Sequence, residues 1–330
     1  MLQHNNPRYA EAQPTAMLAY FAVGLACLIA LWLSGDFLYS RVVRFRLARW
    51  ERRIERDACG VRLGCADFTL GSGETALLLV HGFGDCPAVF RPLAGLLAER
   101  GFTCRAMRLP GFAMRTEEYA RTSRERCLTA IDVELKSLRE KHRRVVVIGH
   151  SLGAALLIEH LLDRPAENED VIAAVLLAPQ IGVCNDRSPL FSARTWYRIG
   201  RRLLVFSQIL ENIFPVDGHS QRALAYDLQA VFVPAALYDI VFETIDQIAH
   251  RAAEFTLPHM MVLASDDKVI DTPAAERFYE NSASPGKELH HKKDAGHNLP
   301  MDNGWRELAD QIARCVQQME GHERLPDTAE

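Results

Sequence analysis

A serine, two adjacent aspartates and a histidine occur in this chain at positions that could together form a nucleophilic catalytic site. Ser151 lies in a G-x-S-x-G pattern at residues 149–153. Asp266 and Asp267 follow an apolar segment much later in the chain, and His297 comes after them. A serine hydroxyl needs a neighbouring base to take its proton, and the base needs an acid to orient it. These residue types therefore predict acyl transfer through a serine ester, with either aspartate as the acid.

The sequence around Ser151 predicts a strand, a tight turn and a helix. Residues 145–148 are β-branched and apolar, which is typical of a strand buried on both faces of a parallel sheet. Residues 154–162 contain strong helix formers and no breaker. In this context the pattern predicts a nucleophile elbow, in which the two glycines leave room for a strained turn at the serine. A chance match in a loop is the alternative.

The composition is that of an ordinary globular protein of 330 residues with a formal net charge of −4. This length allows one large α/β domain with appendages, or two smaller domains. The small net charge argues against a nucleic-acid partner. The eight cysteines are scattered without the spacing of zinc ligands, so we expect free thiols in a reducing compartment, no metal and no other cofactor.

The N-terminal part of the chain contains a long apolar run. Residues 1–15 are polar, whereas residues 16–33 include no charged residue. At about 1.5 Å per residue this run spans about 27 Å, close to the ~30 Å hydrocarbon core of a bilayer. We therefore predict a transmembrane anchor over residues 16–38. A cleaved signal peptide and a buried soluble helix are the alternatives, although no convincing cleavage site follows the run.

A basic segment over residues 39–59 follows the predicted anchor. By the positive-inside tendency, it indicates a single-pass protein of the cell (inner) membrane whose catalytic domain lies in the cytoplasm. Apolar residues alternate with the basic ones, so this segment could be a helix lying on anionic lipid or an exposed linker helix. The arginines concerned are Arg41, Arg44, Arg46, Arg49, Arg52 and Arg53.

The remaining chain predicts an α/β domain interrupted by an insertion. Apolar strands alternate with helices over residues 60–180 and 258–320, which predicts a mostly parallel sheet covered by helices on both faces. Residues 181–257 break this rhythm and predict a helical cap, and residues 321–330 form a tail. Aromatic residues of the insertion could accept an acyl chain or form the core of the cap. They are Trp196, Tyr197, Phe206, Phe214, Phe232, Tyr238 and Phe242.

From about residue 74 to 318 the chain resembles the α/β-hydrolase superfamily, and within it the bacterial carboxylesterase and monoacylglycerol lipase group. The chain order serine, acid, histidine is the order of that superfamily. The matching segments are His81-Gly82-Phe83-Gly84, Arg91-Pro92-Leu93-Ala94, Arg108-Leu109-Pro110-Gly111, Gly149-His150-Ser151-Leu152-Gly153, Ser265-Asp266-Asp267-Lys268-Val269 and Gly296-His297.

The resemblance implies roles for particular residues. It favours Asp267 over Asp266 as the acid, because Asp267 is followed by two aliphatic residues after the lysine. It implies His297 as the base, and backbone N–H groups of Phe83 and Leu152 as the oxyanion hole. It also implies that His81 stabilises a turn and that His150 faces sideways and is not the base.

The expected function is a membrane-anchored serine hydrolase of acyl esters, such as monoacylglycerol or lysophospholipid. An acyltransferase with the same triad and a non-catalytic binding protein on the same fold are the alternatives. Residues 111–114 depart from a histidine-glycine pair that relatives often carry, so the resemblance leaves substrate preference open.

Overall fold

The computed structural model describes residues 12–165, 170–212 and 216–322, and its centre is a seven-stranded sheet. The strands lie in the order β1-β3-β2-β4-β5-β8-β9, and every neighbouring pair is parallel except β1 with β3. They are β1 (Phe68–Leu70), β2 (Thr75–Val80), β3 (Thr103–Met107), β4 (Arg144–His150), β5 (Val171–Leu177), β8 (His259–Ala264) and β9 (Lys287–Lys292).

Helices cover the sheet in two groups. Helices α4, α5 and α8 pack against one another, and α2 packs against α10. The central strands β2, β4 and β8 are buried along their whole length, as their apolar sequences require. The helices of the domain are α2 (Arg91–Glu99), α3 (Thr116–Tyr119), α4 (Arg124–Arg139), α5 (Leu152–Asp163), α8 (Ala235–Ile248), α9 (Thr272–Asn281) and α10 (Trp305–His322).

The predicted parallel α/β fold is confirmed, and the sequence reasoning missed two small parts of it. The antiparallel edge strand β1 has only three residues, none of them buried, and so gives no apolar run to detect. Helix α9 begins after Asp271, whose side chain accepts a hydrogen bond from the N–H of Ala274. This N-terminal cap and the following proline are start signals that were not used.

The turn between β4 and α5 is held in a conformation that a side chain normally avoids. Ser151 has φ 55° and ψ −121°. A Cβ atom on Gly149 would lie 2.3 Å from Cα of Ala154, and one on Gly153 would lie 2.1 Å from the carbonyl oxygen of Val80. The helix therefore begins directly against the neighbouring strand, which only glycine permits. The sequence-based prediction of an elbow agrees with this geometry.

The insertion forms a cap that is not wholly helical, which corrects the sequence prediction. It contains α6 (Ala193–Leu203), the short helix α7 (Gln221–Leu224) and an antiparallel pair formed by β6 (Ile209–Glu211) and β7 (Phe232–Pro234). Strands of three residues are too short to show an alternating pattern. Helix α8, predicted within the cap, packs on α4 and α5 of the hydrolase core. Phe214 lies outside the described residues.

The N-terminal helix α1 (Ala12–Glu51) is continuous, so the predicted boundary between anchor and basic segment at residue 38 is not a structural one. Residues 16–30 are exposed on every side. Among the described residues this is the one helix long and apolar enough to cross a membrane, with a mean hydropathy of 2.3 over eighteen residues and none of that stretch buried. A signal sequence has the same properties.

The cap covers one side of the end of α1, a contact that neither interpretation of the basic segment included. Val43 and Leu47 are buried against Phe232 of the cap, and Trp50 contacts the same ring at 5.8 Å between centroids. The alternation of apolar and basic residues reflects this packing, while the arginines face outward. Phe45 remains exposed on the other side of the helix.

Replacing Gly153 by Ala tests the close approach of α5 to β2. Because the added methyl group would overlap a backbone carbonyl, we expect a loss of about 3 kcal/mol or more in the free energy of unfolding. Gly95→Ala is the matched control, since a Cβ there meets nothing within 4 Å in a helix and should raise stability by about 0.5–1 kcal/mol. Thermal unfolding of both variants measures the difference, and equal midpoints would contradict the packing.

Candidate active site

The structure brings Asp267 and His297 into direct contact. His297 Nδ1 lies 2.8 Å from Asp267 Oδ2. The carboxylate is fully buried, and its other oxygen accepts hydrogen bonds from the N–H groups of Val269 and Ile270 at 2.8 and 3.0 Å. These bonds fix the plane of the carboxylate and hence the orientation of the imidazole.

The adjacent carboxylate has different surroundings. The side chain of Asp266 is 52% exposed and pairs with His219 Nε2 at 3.1 Å and Lys268 Nζ at 3.5 Å. It has no hydrogen bond to His297 among the contacts of the described residues. Of the two candidate acids, the geometry therefore favours Asp267.

The buried pair changes the protonation of both members. Burial alone would raise the pKa of Asp267, but the charge and hydrogen bond of His297 and the two backbone donors outweigh it, so that pKa is lowered. Burial alone would lower the pKa of His297, but the charge and hydrogen bond of Asp267 outweigh it, so that pKa is raised. Asp267 is therefore an anion that stabilises a protonated imidazole, as an acid that orients a general base must be.

Ser151 lies at the floor of the cavity that His297 also lines. The serine is held at the elbow by a hydrogen bond from its N–H to the carbonyl of Leu177 at 2.9 Å. The hydrogen bonds of the described residues include none between Ser151 Oγ and His297. In ligand-free sites the contact between nucleophile and base is often long and tightens only when substrate is bound. The absence of this hydrogen bond is therefore compatible with general-base catalysis.

Leu152 and Phe83, the residues that the resemblance implies as oxyanion donors, lie near Ser151 in the chain or in space. Leu152 is the first residue of α5, so its N–H has no acceptor within the helix. Phe83 follows Gly82, whose Cα is so close to the serine that a Cβ there would lie 2.9 Å from Ser151 Cβ. Phe83 and Ser151 both line the cavity. The role of these two N–H groups as oxyanion donors stays a prediction from the resemblance.

Two buried histidines hold the loops of the site. His81 Nε2 accepts a hydrogen bond from the N–H of Leu109 at 3.1 Å while Nδ1 lies 3.1 Å from the carbonyl of Gly82, which ties the loop after β2 to the loop after β3. His150 Nε2 lies 2.9 Å from the backbone carbonyl of His297. Burial lowers the pKa of each histidine to about 3, so both are neutral. The resemblance implied only that His150 is not the base, and its hydrogen bond to the loop of His297 was not predicted.

Two carboxylates of low exposure tie the cap to the loop that carries His297. Asp217 of the cap accepts hydrogen bonds from the N–H of Lys268 at 2.9 Å and of His297 at 3.3 Å. Asp302 accepts from the N–H groups of Gly296, His219 and Ser220. Asp217 also accepts a hydrogen bond from the guanidinium of Arg187 at 3.2 Å. Nothing in the sequence marks Asp217 or Asp302, because most of their partners are backbone groups distant along the chain.

The cavity above Ser151 has a volume of about 570 Å³, within the range of small-molecule sites. Its walls are mainly apolar and come from the cap and from α8. Of the aromatic residues that the sequence singled out, Trp196, Tyr197, Tyr238 and Phe242 line it, whereas Phe232 packs on α1. Among the described residues no group of three or more His, Cys, Asp or Glu side chains is arranged to hold a metal ion.

A family model described as serine aminopeptidase, S33, matches residues 71–304. The chain belongs to this family. The S33 chain therefore carries the α/β-hydrolase fold, and its matched range runs from just before β2 to just before α10, including both the elbow and the histidine loop. The N-terminal helix α1 lies outside the match.

Several characterised proteins are similar to parts of this S33 chain. The thermostable monoacylglycerol lipase of Bacillus sp. (strain H-257) is 32% identical over 100 residues, which are 29% of this chain and 40% of that protein. The carboxylesterase of Bacillus subtilis (strain 168) is 22% identical over 71% of this chain and 89% of its own. The crystal structure of Paleococcus ferrophilus monoacylglycerol lipase superposes with a TM-score of 0.66 at 21% identity, covering 77% of this chain and 98% of that one.

The extent of these matches differs. The chain spans less than half of the Bacillus sp. monoacylglycerol lipase and 25% of the Escherichia coli protein YnbC, but most of the Bacillus subtilis carboxylesterase. The structural similarity, at 21% identity, shows the shared fold. The activity of the present chain therefore has to be argued from its own site.

Replacing Asp217 by Asn tests whether this residue acts on His297. The negative charge of Asp217 contributes to the raised pKa of His297, so its removal destabilises the protonated imidazole and lowers that pKa. A base must be deprotonated to act, and we therefore expect the acidic limb of the pH profile of kcat/KM to move to lower pH. Asp266→Asn is the matched control and should leave the limb in place. The same profile for Asp217→Asn and the unmodified protein would contradict this role.

Proposed function

We propose that this S33-family chain is a membrane-anchored serine hydrolase that cleaves acyl esters of single-chain lipids, such as monoacylglycerol or lysophospholipid. The observation that carries the proposal is the buried Asp267–His297 pair, which shares a mainly apolar cavity with a serine at a strained elbow. The similarity to monoacylglycerol lipases and a carboxylesterase supports the same substrate class.

In the proposed reaction, Ser151 Oγ attacks the ester carbonyl while His297 takes its proton. The N–H groups of Phe83 and Leu152 donate to the oxyanion, and each such donor typically lowers the barrier by about 3–4 kcal/mol. The tetrahedral intermediate collapses as His297 gives the proton to the departing alcohol oxygen. Water then attacks the acyl-enzyme with His297 again as the base, and the fatty acid and free serine are released. Asp267 stabilises the imidazolium in both halves.

The apolar lining of the cavity supports the binding of a single acyl chain. Its apolar wall contains Leu204, Leu210 and Val241 together with the aromatic rings of the cap and α8. Apolar surface of this kind gives about 25 cal/mol for each Å² of acyl chain that it removes from water. The site thus gains binding free energy from remote parts of the substrate, which a catalyst can use to orient the ester group.

The exposed apolar part of α1 supports a single membrane-spanning anchor at the cell (inner) membrane. Arginines follow it on the side of the catalytic domain, and most of the cysteines are free and buried. The charge distribution favours a cytoplasmic location for the hydrolase domain. Reduced thiols are compatible with that compartment.

Replacing Ser151 by Ala is expected to abolish hydrolysis of p-nitrophenyl esters and labelling by a fluorophosphonate probe. Asp267→Asn should lower kcat by about 10⁴, because the imidazole loses the partner that fixes its tautomer and its charge. Asp266→Asn serves as the control on the same loop and should retain activity. Hydrolysis rates on a series of ester chain lengths measure these effects.

Two outcomes would contradict the proposed chemistry. One is full esterase activity in the Ser151→Ala protein. The other is an unmodified protein that hydrolyses aminoacyl anilides, the substrates of an aminopeptidase, and leaves monoacyl esters intact.

The orientation of the anchor is tested by protease added to the outside of intact spheroplasts. A cytoplasmic hydrolase domain should be protected until the membrane is permeabilised with detergent, because the bilayer excludes the protease. Immunoblotting against a C-terminal tag measures the survival of the domain. Its digestion in intact spheroplasts would show the opposite orientation.

A further inference from the structure

A carboxylate of α1 binds one loop of the cap. Asp36 Oδ2 accepts hydrogen bonds from the N–H groups of Val205 and Phe206 at 2.7 and 2.8 Å, and Oδ1 accepts one from Ser207 Oγ at 2.5 Å. Asp36 and Ser207 are buried by this contact. Since α1 is one continuous helix, the loop at residues 204–207 has a fixed position along its axis.

The position of that loop along α1 can be estimated. Leu33 ends the apolar run, and Asp36 lies three residues further, about 4.5 Å along the helix axis. The polar layer on each side of a bilayer is about 5–7 Å deep if the hydrocarbon core is ~30 Å of a total of ~40–45 Å. If α1 spans a membrane, the loop therefore lies within the polar layer of that membrane, and not beyond it.

Apolar side chains of this loop, and of the last residue of α6 before it, are turned outward. Leu203, Val205 and Phe206 are 44%, 49% and 38% exposed. Phe206 packs edge-on against Phe37 of α1 at 5.6 Å between ring centroids, and Phe37 is itself 53% exposed. The apolar surface of the helix thus continues without a break onto the cap. We call these four residues the docking face.

Charges near the docking face fit anionic headgroups. Arg41 and Arg44 are exposed on α1 about one and two turns after Asp36. Arg44 also donates a hydrogen bond to the carbonyl of Phe206 at 3.4 Å. Arg41 and Arg44 lie about 12 and 16.5 Å beyond Leu33 along the helix, just outside the polar layer and within about a Debye length of it, where arginines are attracted to anionic lipid. Aromatic and aliphatic side chains nearer the bilayer enter the boundary between headgroups and acyl chains.

The loop that carries the docking face also contributes to the wall of the active-site cavity. Leu204 and Ser207, which flank Val205 and Phe206, both line the cavity above Ser151. We propose that the docking face binds the surface of the phospholipid bilayer that holds α1, so that single-chain lipid passes from that bilayer into the cavity without crossing water. This inference rests on the proposed anchor and ester hydrolysis.

The contact is tested in the full-length protein in its native membrane by site-specific photo-crosslinking. Leu203 is replaced by p-benzoylphenylalanine, and mass spectrometry then detects lipid bound covalently to the peptide after irradiation. Leu28, in the apolar run, is the position that reports on the anchor itself. Val133, on α4 and 60% exposed, is the matched control for an exposed apolar residue elsewhere.

We expect lipid adducts at positions 28 and 203 and none at position 133. Adducts at 28 without adducts at 203 would overturn the docking face and leave the anchor standing. The absence of adducts at position 28 would contradict both the anchor and the docking face. Crosslinks from position 203 to a protein would show that this face binds a protein partner and would contradict its binding to the bilayer. None of these outcomes depends on catalytic activity.

A second measurement concerns delivery of substrate. In nanodiscs, the double variant Leu203→Gln with Val205→Gln should lower the ratio of monoacylglycerol hydrolysis to hydrolysis of a water-soluble short-chain ester by about tenfold, because the two half-exposed apolar side chains together lose binding to the bilayer of about that size. Val133→Gln should leave the ratio unchanged. An unchanged ratio in the double variant would contradict the entry of substrate from the bilayer. If the unmodified protein hydrolysed neither ester, the result would contradict the proposed function instead.

Discussion

The constraint on which the site depends is the contact between the first turn of α5 and strand β2. With hydrogen as its side chain, Gly153 lets the helix begin against the carbonyl of Val80, and Gly149 leaves room for Ala154. The backbone between them must reverse within a few residues, which forces Ser151 to a positive φ. Positions of this kind cost about 1–3 kcal/mol and persist only where surrounding packing determines them. Here that packing is the fully buried centre of the sheet, so the orientation of the serine is as rigid as the core.

The histidine that must meet this serine is carried by a loop, and its position is determined by hydrogen bonds instead of a core. His150 holds the carbonyl of His297, Asp267 holds the ring, and Asp217 and Asp302 hold the backbone on either side. Buried carboxylates are stabilising only when their acceptor capacity is filled, and each of these accepts at least two hydrogen bonds. Since Asp217 belongs to the cap and Asp302 binds cap residues, a movement of the cap would be transmitted to the base. Cap and histidine loop are one mechanical unit.

The elements that a local pattern encodes could be predicted from the sequence, and those that depend on distant backbone contacts could not. The elbow was predicted because β-branched residues, two glycines and a helix-forming run are adjacent in the chain. Asp267 and His297 were found through the chain order of a known superfamily, and geometry then distinguished Asp267 from Asp266. The roles of Asp217 and Asp302 were missed, because these carboxylates bind N–H groups that are mostly remote in the chain. The pairing of β6 with β7 was missed, because strands of three residues are too short to show an alternating pattern. The packing of Val43 and Leu47 on the cap was not predicted. The sequence left a lipid-bound helix and an exposed linker helix as alternatives, since an apolar face alone does not identify what covers it.

The hydrogen bonds of Asp36 fix the orientation of the N-terminal helix relative to the cap. A flexible linker would leave the hydrolase domain free to rotate relative to the apolar part of α1, and the cavity could then face any direction. A buried carboxylate with three hydrogen bonds to residues 205–207 cannot be released without exposing or orphaning those groups, at a cost of about 1–3 kcal/mol for each. Val43, Leu47 and Trp50 add an apolar contact about two to four turns further along the same helix. The orientation of the cap relative to α1 is therefore part of the fold, and the direction in which the cavity opens is determined by the same residues that attach the helix.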